Sequence, residues 1–538
     1  MKHTYKAIMV LAFSAAATIL SAQPAIEWGE RYNAPPDMAD EALDIAVDAA
    51  GNVYVTGNGF NSAGNLDAIT VKYDANGNQL WVRNYDRGAS GNDYGKAIEV
   101  DAAGNVYVTG FSTSATNMLD ALTIKYDAAG TQQWVSFYDG VDHKMDEGRS
   151  IAVDANGNVF ICGYTSDSLY MFNTLTVCYN SSGAQQWAQV YDGPISSNDE
   201  LFDLVIDGSS NVYVTGNSEQ STFNYQILTI KYNSAGTQQW LQTHGSPTDG
   251  DFGKAITLDP SGNVLVGAQS GLSGNWFDYL AVKYTSAGTF QWDARYNSGN
   301  NKYEDLWEIC ADNAGCVYVT GQSQPSNSVN PDATTVKYSP AGTELWVKRY
   351  DGGFSNGDDR AYAMVLDDTA NVYIAGYSKN ATNNDYITVK YDSAGTQEFA
   401  LRFNSQYDTI DQANAIAVGP GAIYVTGKSA NSSNDDYWTI KYSYATVGIH
   451  ENTNSIATVT AFPNPAEDVL YLNIPNETDP ESQIVIYDLS GRAIMTMSVN
   501  AVAGSRQINI AALAEGTYVL SHVGKDGSVL GTQRIMKK

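Results

Sequence analysis

Eight carboxylates recur at one position along the chain: Asp40, Asp93, Asp146, Asp199, Asp251, Glu304, Asp359 and Asp411, each eight residues before a turn. Oxygen-only ligands would suit Ca²⁺, which takes six to eight of them, and carboxylates alone can perform acid and base work on glycosides or polyanions. A residue repeated this regularly also answers to a repeated structural need, such as accepting hydrogen bonds from backbone N–H groups. A second set is aromatic: Tyr170 and Phe172, Phe223 and Tyr225, Trp276 and Phe277 occupy equivalent variable segments. Flat rings stack on the apolar faces of sugars while nearby Asn, Asp and Gln satisfy hydroxyls, so this set points to a glycan surface; the alternative is that the rings fill gaps between strands. His143 and His244 are the two histidines in this region, and no nucleophile motif, phosphate-binding glycine loop or HExxH accompanies them.

The elements that must position these residues are set by self-similarity. Gly51-Asn52-Val53-Tyr54-Val55-Thr56-Gly57 recurs at 104–110, then in altered form ending at Gly163, Gly216, Ala268, Gly321, Gly376 and Gly427, at spacings of 53, 53, 53, 52, 53, 55 and 51. Each copy starts with an alternating strand such as Ala97-Ile98-Glu99-Val100. After a variable loop comes a third strand like Asp120-Ala121-Leu122-Thr123-Ile124-Lys125-Tyr126, then a tight turn into Gly130-Thr131-Gln132-Gln133-Trp134. Four strands per unit without helical periodicity are the pattern of a propeller blade. Fourth strands follow the first seven copies with Trp81, Trp134, Trp187, Trp240, Trp292, Trp346 and Phe399, but the eighth copy stops after Tyr442. The missing strand stands at the other end, where Trp28 and Tyr32 repeat the spacing of Trp81 and Tyr85. The expectation is an all-β fold: an eight-bladed β-propeller closed by the N-terminal strand, then a small C-terminal β-sandwich. Asp–Gly turns are structural by this reading. The variable loops 58–66, 164–172, 217–225, 269–277 and 322–331 form the binding face.

Composition narrows the partners. Of 538 residues, 30 are Lys or Arg and 59 Asp or Glu, a formal charge of −29. Clustered cations for nucleic acid or anionic lipid are thereby disfavoured. Residues 1–22 carry Lys2 and Lys6, an apolar run from Ala7 to Leu20, and small Ser21 and Ala22, which reads as a signal peptide, and no later run is long enough to cross a membrane. The exported chain is expected to be a monomer. Cys310 and Cys316 flank a turn and could form a strained bridge, whereas Cys162 and Cys178 read as buried thiols.

The copies resemble the bacterial β-propeller repeat family through Gly-Asn-Val-Tyr-Val-Thr-Gly, Asp-x-x-Thr-x-Lys-Tyr and Gly-x-x-x-Trp, over residues 24–444; Cys178, Gly267 and Phe399 depart from the pattern. After a polar linker, 445–458, residues 459–538 carry Phe462-Pro463-Asn464-Pro465, Tyr487-Asp488-Leu489-Ser490-Gly491-Arg492, Gly516-Thr517-Tyr518-Val519-Leu520 and Arg534-Ile535-Met536-Lys537-Lys538. This segment is similar to the type A C-terminal sorting domain of type IX secretion. The resemblance implies Bacteroidota, passage through the periplasm, engagement of the type IX machinery, and release or attachment at the outer surface. The functional expectation is a binding or adhesion module for glycan or protein. The alternatives are a polysaccharide hydrolase or lyase using the carboxylates, with Ca²⁺ as the one ion implied, and a structural component of the cell surface without a small ligand.

Overall fold

The computed structural model describes residues 24–88, 91–246, 248–272, 276–299, 302–325, 330–354, 357–431, 433–443, 460–474, 482–487, 493–498, 504–523 and 529–538. The expected signal peptide, linker and Gly491 lie outside the described residues. The chain divides into two compact units, Met1–Tyr444 and Ala445–Lys538.

The described residues of the first unit form eight four-stranded antiparallel sheets and no helix. The first copy sets the pattern with β2 (Asp40–Val47), β3 (Val53–Phe60), β4 (Leu66–Tyr73) and β5 (Gln79–Tyr85) in spatial order, and β1 (Ala25–Tyr32) precedes it. Alternation of apolar and small residues along β3 and β4 buries both faces, since neighbouring sheets cover them. The first strands contact one another in chain order, and that of the eighth copy (Asp411–Gly419) contacts β2. β1 pairs antiparallel with Asp435–Ser443, matching Tyr32 to Tyr437 and Ala25 to Ser443, so it is the fourth strand of the eighth copy's sheet.

Indoles join each sheet to the next. Trp81 Nε1 donates to Ala128 O at 3.3 Å, Trp134 to Ser181 O at 3.1 Å and Trp292 to Pro340 O at 3.0 Å, each a turn carbonyl of the following copy. Trp28 on β1 makes the same bond to Ala75 O at 3.1 Å. The glycine of that turn is required: Gly77 has φ 87°, and a Cβ there would stand 2.8 Å from the Trp28 ring. Phe399 replaces Trp in the seventh copy, whose neighbouring sheet takes its fourth strand from β1 rather than through such a turn. Among the described residues no turn of that sheet offers an indole N–H the equivalent carbonyl. Lys72, Lys337 and Lys441 reinforce the junctions by donating to turn carbonyls of the next sheet at 2.8–3.0 Å.

Second strands run further than the sequence suggested, because the backbone ladder continues through polar residues past the apolar run. Val212–Ser221 zips to Asn224–Tyr232, leaving Thr222 and Phe223 as the loop. Cys310 and Cys316 are free thiols, as are buried Cys162 and Cys178; Cys310 Sγ lies 3.7 Å from Met364 O on the neighbouring sheet rather than on Cys316.

The second unit holds Thr460–Phe462, Val469–Ile474 and Gly504–Asn509 in one sheet. Ala493–Ser498, Gln483–Tyr487, Gly516–Val523 and Val529–Lys537 form another. Leu470, Leu472, Ile484, Ile486, Ile508, Leu520 and Ile535 form their shared core. Between Pro463 and Pro465, Asn464 donates Nδ2 to Arg534 O at 2.7 Å and accepts Met536 N–H at 2.8 Å, tying the proline segment to the last strand. Tyr518, two residues after Gly516, donates its hydroxyl to Ala514 O at 2.8 Å.

Candidate functional site

The eight recurrent carboxylates start the eight first strands and are almost fully buried. Each accepts a backbone N–H from the connection that precedes it: Ala34 to Asp40, Arg87 to Asp93, Gly140 to Asp146, Gly193 to Asp199, Ser246 to Asp251, Ser298 to Glu304, Gly352 to Asp359 and Ser405 to Asp411, at 2.5–3.0 Å. Burial pushes Asp40, Asp146 and Glu304 up to about 7 and raises the other five. Asp93 and Asp146 each also stand within ligand distance of two further acids, Asp67 with Asp86 and Asp120 with Asp139, so these triads could hold a divalent cation. In the second triad Arg87 pairs with Asp120, and His143 Nδ1 lies at hydrogen-bond distance from Asp139.

A different set converges beside this ring. The residues one and three places after each carboxylate, and the residue that follows the last glycine of the repeat motif, differ from copy to copy while the strand around them repeats. Cross-strand register puts them together: Tyr94 faces Phe111, Glu147 faces Tyr164, Phe252 faces Gln269, Asp305 faces Gln322 and Arg360 faces Tyr377. Rings and cations alternate. Tyr94 stacks on Phe111 with centroids 4.4 Å apart, Lys96 lies 5.6 Å over Phe111, and Arg149 lies 4.8 Å over Tyr164 and 4.7 Å over Phe202. Lys254 sits 5.0 Å from Phe202 and 5.9 Å from Phe252, while Arg360 sits 5.6 Å over Tyr377. Tyr362 meets Tyr377 at 5.8 Å and Trp307 edge-on at 5.5 Å.

Glu147 bridges Lys96 at 2.6 Å and Arg149 at 2.9 Å, and Arg149 continues to Glu200 at 2.8 Å, which holds the Glu147 carboxyl below its usual range despite burial. Asp305 goes the other way. Burial outweighs the nearby charges of Lys254 and Arg360 and pushes it up to about 6. Its Oδ1, Gln322 Oε1 and Arg360 Nε are buried without hydrogen-bond partners among the described residues.

The aromatic loop residues expected from sequence divide between two settings. Phe172 packs on Tyr164 at 4.3 Å, Tyr225 on Phe252 at 5.3 Å, and Phe277 between Phe252 at 5.7 Å and Tyr303 at 6.0 Å, so these three extend the first-strand cluster. Tyr170 is 47% and Phe223 86% exposed, both at loop tips with positive φ, and Lys144 covers Tyr170 at 4.7 Å. Trp276 opens the third strand of its copy opposite Leu272, and its side chain lies outside the described residues. Sequence reasoning missed the first-strand members, Lys254, Asp305, Trp307 and Arg360 above all. The available signal was variability at fixed positions inside an otherwise repeated strand.

Concavities of about 480–570 Å³ lie between turns of neighbouring copies, one lined by Asp367, Tyr373, Gly419 and Pro420, another by Asp48, Tyr54, Lys72 and Asp101. They repeat as the turns repeat, so the copy-specific chemistry of the first-strand ends is the better candidate site.

Comparison with known proteins fits this division. Residues 460–538 match the family described as secretion system C-terminal sorting domain, and residues 140–170 match the β-propeller repeat. The chain therefore carries a propeller repeat and a type IX sorting tail, which marks a secreted or cell-surface protein. A curated relative, an uncharacterized WD repeat-containing protein of Acanthamoeba polyphaga mimivirus, is 24% identical over 411 residues; the match covers 63% of this chain and 28% of the relative. Similar solved structures include a polysaccharide lyase (TM-score 0.41, 11% identity, 66% of this chain and 92% of that one) and a eukaryotic initiation factor (0.40, 8%, 87% and 90%). A Dyadobacter fermentans protein of unknown function is a third (0.37, 8%, 79% and 100%). Among the described residues no helix is long and apolar enough to cross a membrane.

Proposed function

We propose that this is an exported, monomeric binding module whose eight blades, closed by β1, present a glycan-binding ledge at the first-strand ends, with 1–22 as signal peptide, 23–444 as propeller, 445–458 as linker and 459–538 as sorting domain. The observation that carries the reading is the contrast inside the repeat. Turns, carboxylates and indoles recur because geometry demands them, whereas the three variable positions per copy gather rings, cations and amides at one end. Aromatic faces with adjacent hydrogen-bonding groups are what sugars require, and a rigid scaffold limits the entropy lost on binding. Phe172, Tyr225 and Phe277 belong to the ledge, with Tyr170, Phe223 and Trp276 as its outer extension. The ring from Asp40 to Asp411 serves to fasten the connections. The test is a glycan array probed with the full chain beside Trp307→Ala and Phe277→Ala. Binding weakened about tenfold without loss of folding supports the ledge, and indifference to both removes it.

One observation favours a second, enzymatic reading. Asp305, raised to about 6, shares its surroundings with Tyr303 and Lys254, a set able to exchange protons with a bound sugar. Depolymerisation of a bound glycan, abolished by Asp305→Asn, would establish it.

A further inference from the structure

Four of the cations in this acidic chain stand at the variable first-strand positions: Lys96, Arg149, Lys254 and Arg360. Three arginines on fourth strands of the repeat are neutralised. Arg295, Arg349 and Arg402 each reach an Asp and a Ser of their own sheet, for example Arg402 to Asp385 at 3.0 Å together with Ser378. Lys96 and Arg149 are likewise held by Glu147 and Glu200. Lys254 differs. Among the described residues its ammonium makes no hydrogen bond or close ion pair; it rests over Phe202 and Phe252, with Asp305 and Glu200 acting on it from further away. Among the described residues Arg360 has one bond, Nη2 to Asp358 at 3.3 Å, and its Nε is buried without a partner.

Resting on the glycan-binding reading above, we propose that the sugar unit held here is acidic, its carboxylate or sulfate received by Lys254 and Arg360. Cations placed partly out of water gain most from an anion, because charge-assisted hydrogen bonds replace the hydration they have lost. Beside them, Asp305 Oδ1 and Gln322 Oε1 are buried acceptors without a hydrogen-bond partner among the described residues. Trp307, 38% exposed and braced edge-on by Tyr362, offers a flat face. Burial lowers the Lys254 pKa, and a bound anion would restore it.

The experiment measures affinity of the full chain for matched polymers: dextran with carboxymethyl-dextran and dextran sulfate, methyl-esterified with de-esterified polygalacturonate, and agarose oligosaccharides with carrageenan oligosaccharides. The expected result is at least one acidic member bound tenfold or more tighter than its neutral counterpart. Lys254→Met, which keeps the apolar stem, should erase that preference, and Lys254→Arg should retain it within about threefold. Neutral members bound as tightly as acidic ones would overturn the charge inference and leave the glycan reading standing. A preference untouched by Lys254→Met and Arg360→Met would also overturn the inference, and a panel wholly unbound would overturn both. Circular dichroism confirms that each variant is folded.

Discussion

Replacement of Trp28 by Ala tests whether β1 is integral to the first unit. Trp28 is 8% exposed, its ring centroid lies 5.9 Å from that of Tyr73 and 6.2 Å from that of Tyr424, and its N–H reaches Ala75 O. Trp81 is its match within the chain, also 8% exposed, with Tyr54 at 6.3 Å, Tyr126 at 6.1 Å and Ala128 O as acceptor. Truncating such a ring costs about 3–5 kcal/mol, of which the hydrogen bond contributes about 1. With a urea dependence of about 3 kcal/mol/M or more for a unit of this size, either Ala variant should lower the unfolding midpoint by roughly 1 M. Trp28→Phe should lose about a third of that. Midpoints are read by far-ultraviolet circular dichroism on the full chain. If Trp28→Ala moved the midpoint by less than a third of the Trp81→Ala shift, β1 would be an appendage and the closed ring would be refuted.

Other predictions follow from the buried acids. Glu308, pushed from 4.5 up to about 8 by burial and then by the charges of Asp203 and Asp44, binds its proton more tightly in the folded state than in the unfolded one. Stability from this group is therefore full below about pH 4.5 and is lost as pH rises through 8. Glu308→Gln should raise stability at pH 9 by about 2 kcal/mol, less than the roughly 5 that the whole gap represents because nearby solvent screens the charge, and should change little at pH 4.5. Thermal melts at the two pH values decide it, and equal melting temperatures for variant and parent at pH 9 would count against it. Asp411→Ala removes the acceptor of Ser405 N–H and should cost about 1–3 kcal/mol in the same urea assay. Asp101→Ala strips a turn whose carboxylate, though raised by burial, is held low by Asn105, Tyr107 and Ala103; the loss should be about 1–2 kcal/mol, shrinking as pH falls below 4. Deleting 460–538 should leave the chain inside cells that carry the type IX machinery, measured by fractionation.

What the sequence made legible was whatever the geometry repeats. The Trp-x-x-x-Tyr pair at Trp28 and Tyr32 identified β1 as a displaced fourth strand because the junctions recur as an indole over a turn glycine, with Phe399 the one departure. The carboxylate at each first-strand start was visible for the same reason, and its bond to the preceding connection gives the regularity a cause. The ledge was harder to see. Lys254, Asp305, Trp307 and Arg360 belong to no motif, and only cross-strand register brings Asp305 to Gln322 and Arg360 to Tyr377. The loop aromatics were half informative: Phe277 and Tyr225 turn toward Phe252, whereas Phe223 stands in solvent, a choice made by the two-residue loop that Thr222 and Phe223 form.

If the variable first-strand positions form one ligand site, mutation should separate affinity from stability. The most direct measurement is titration of the full chain with the strongest-binding glycan, comparing Trp307→Ala at the ledge with Trp187→Ala, whose indole bonds Ser234 O at a junction. Trp307→Ala should weaken binding about tenfold with the unfolding midpoint preserved, while Trp187→Ala should lower the midpoint and spare affinity. Binding unaffected by Trp307→Ala, or lost equally with Trp187→Ala in the folded protein, would contradict the single ligand site.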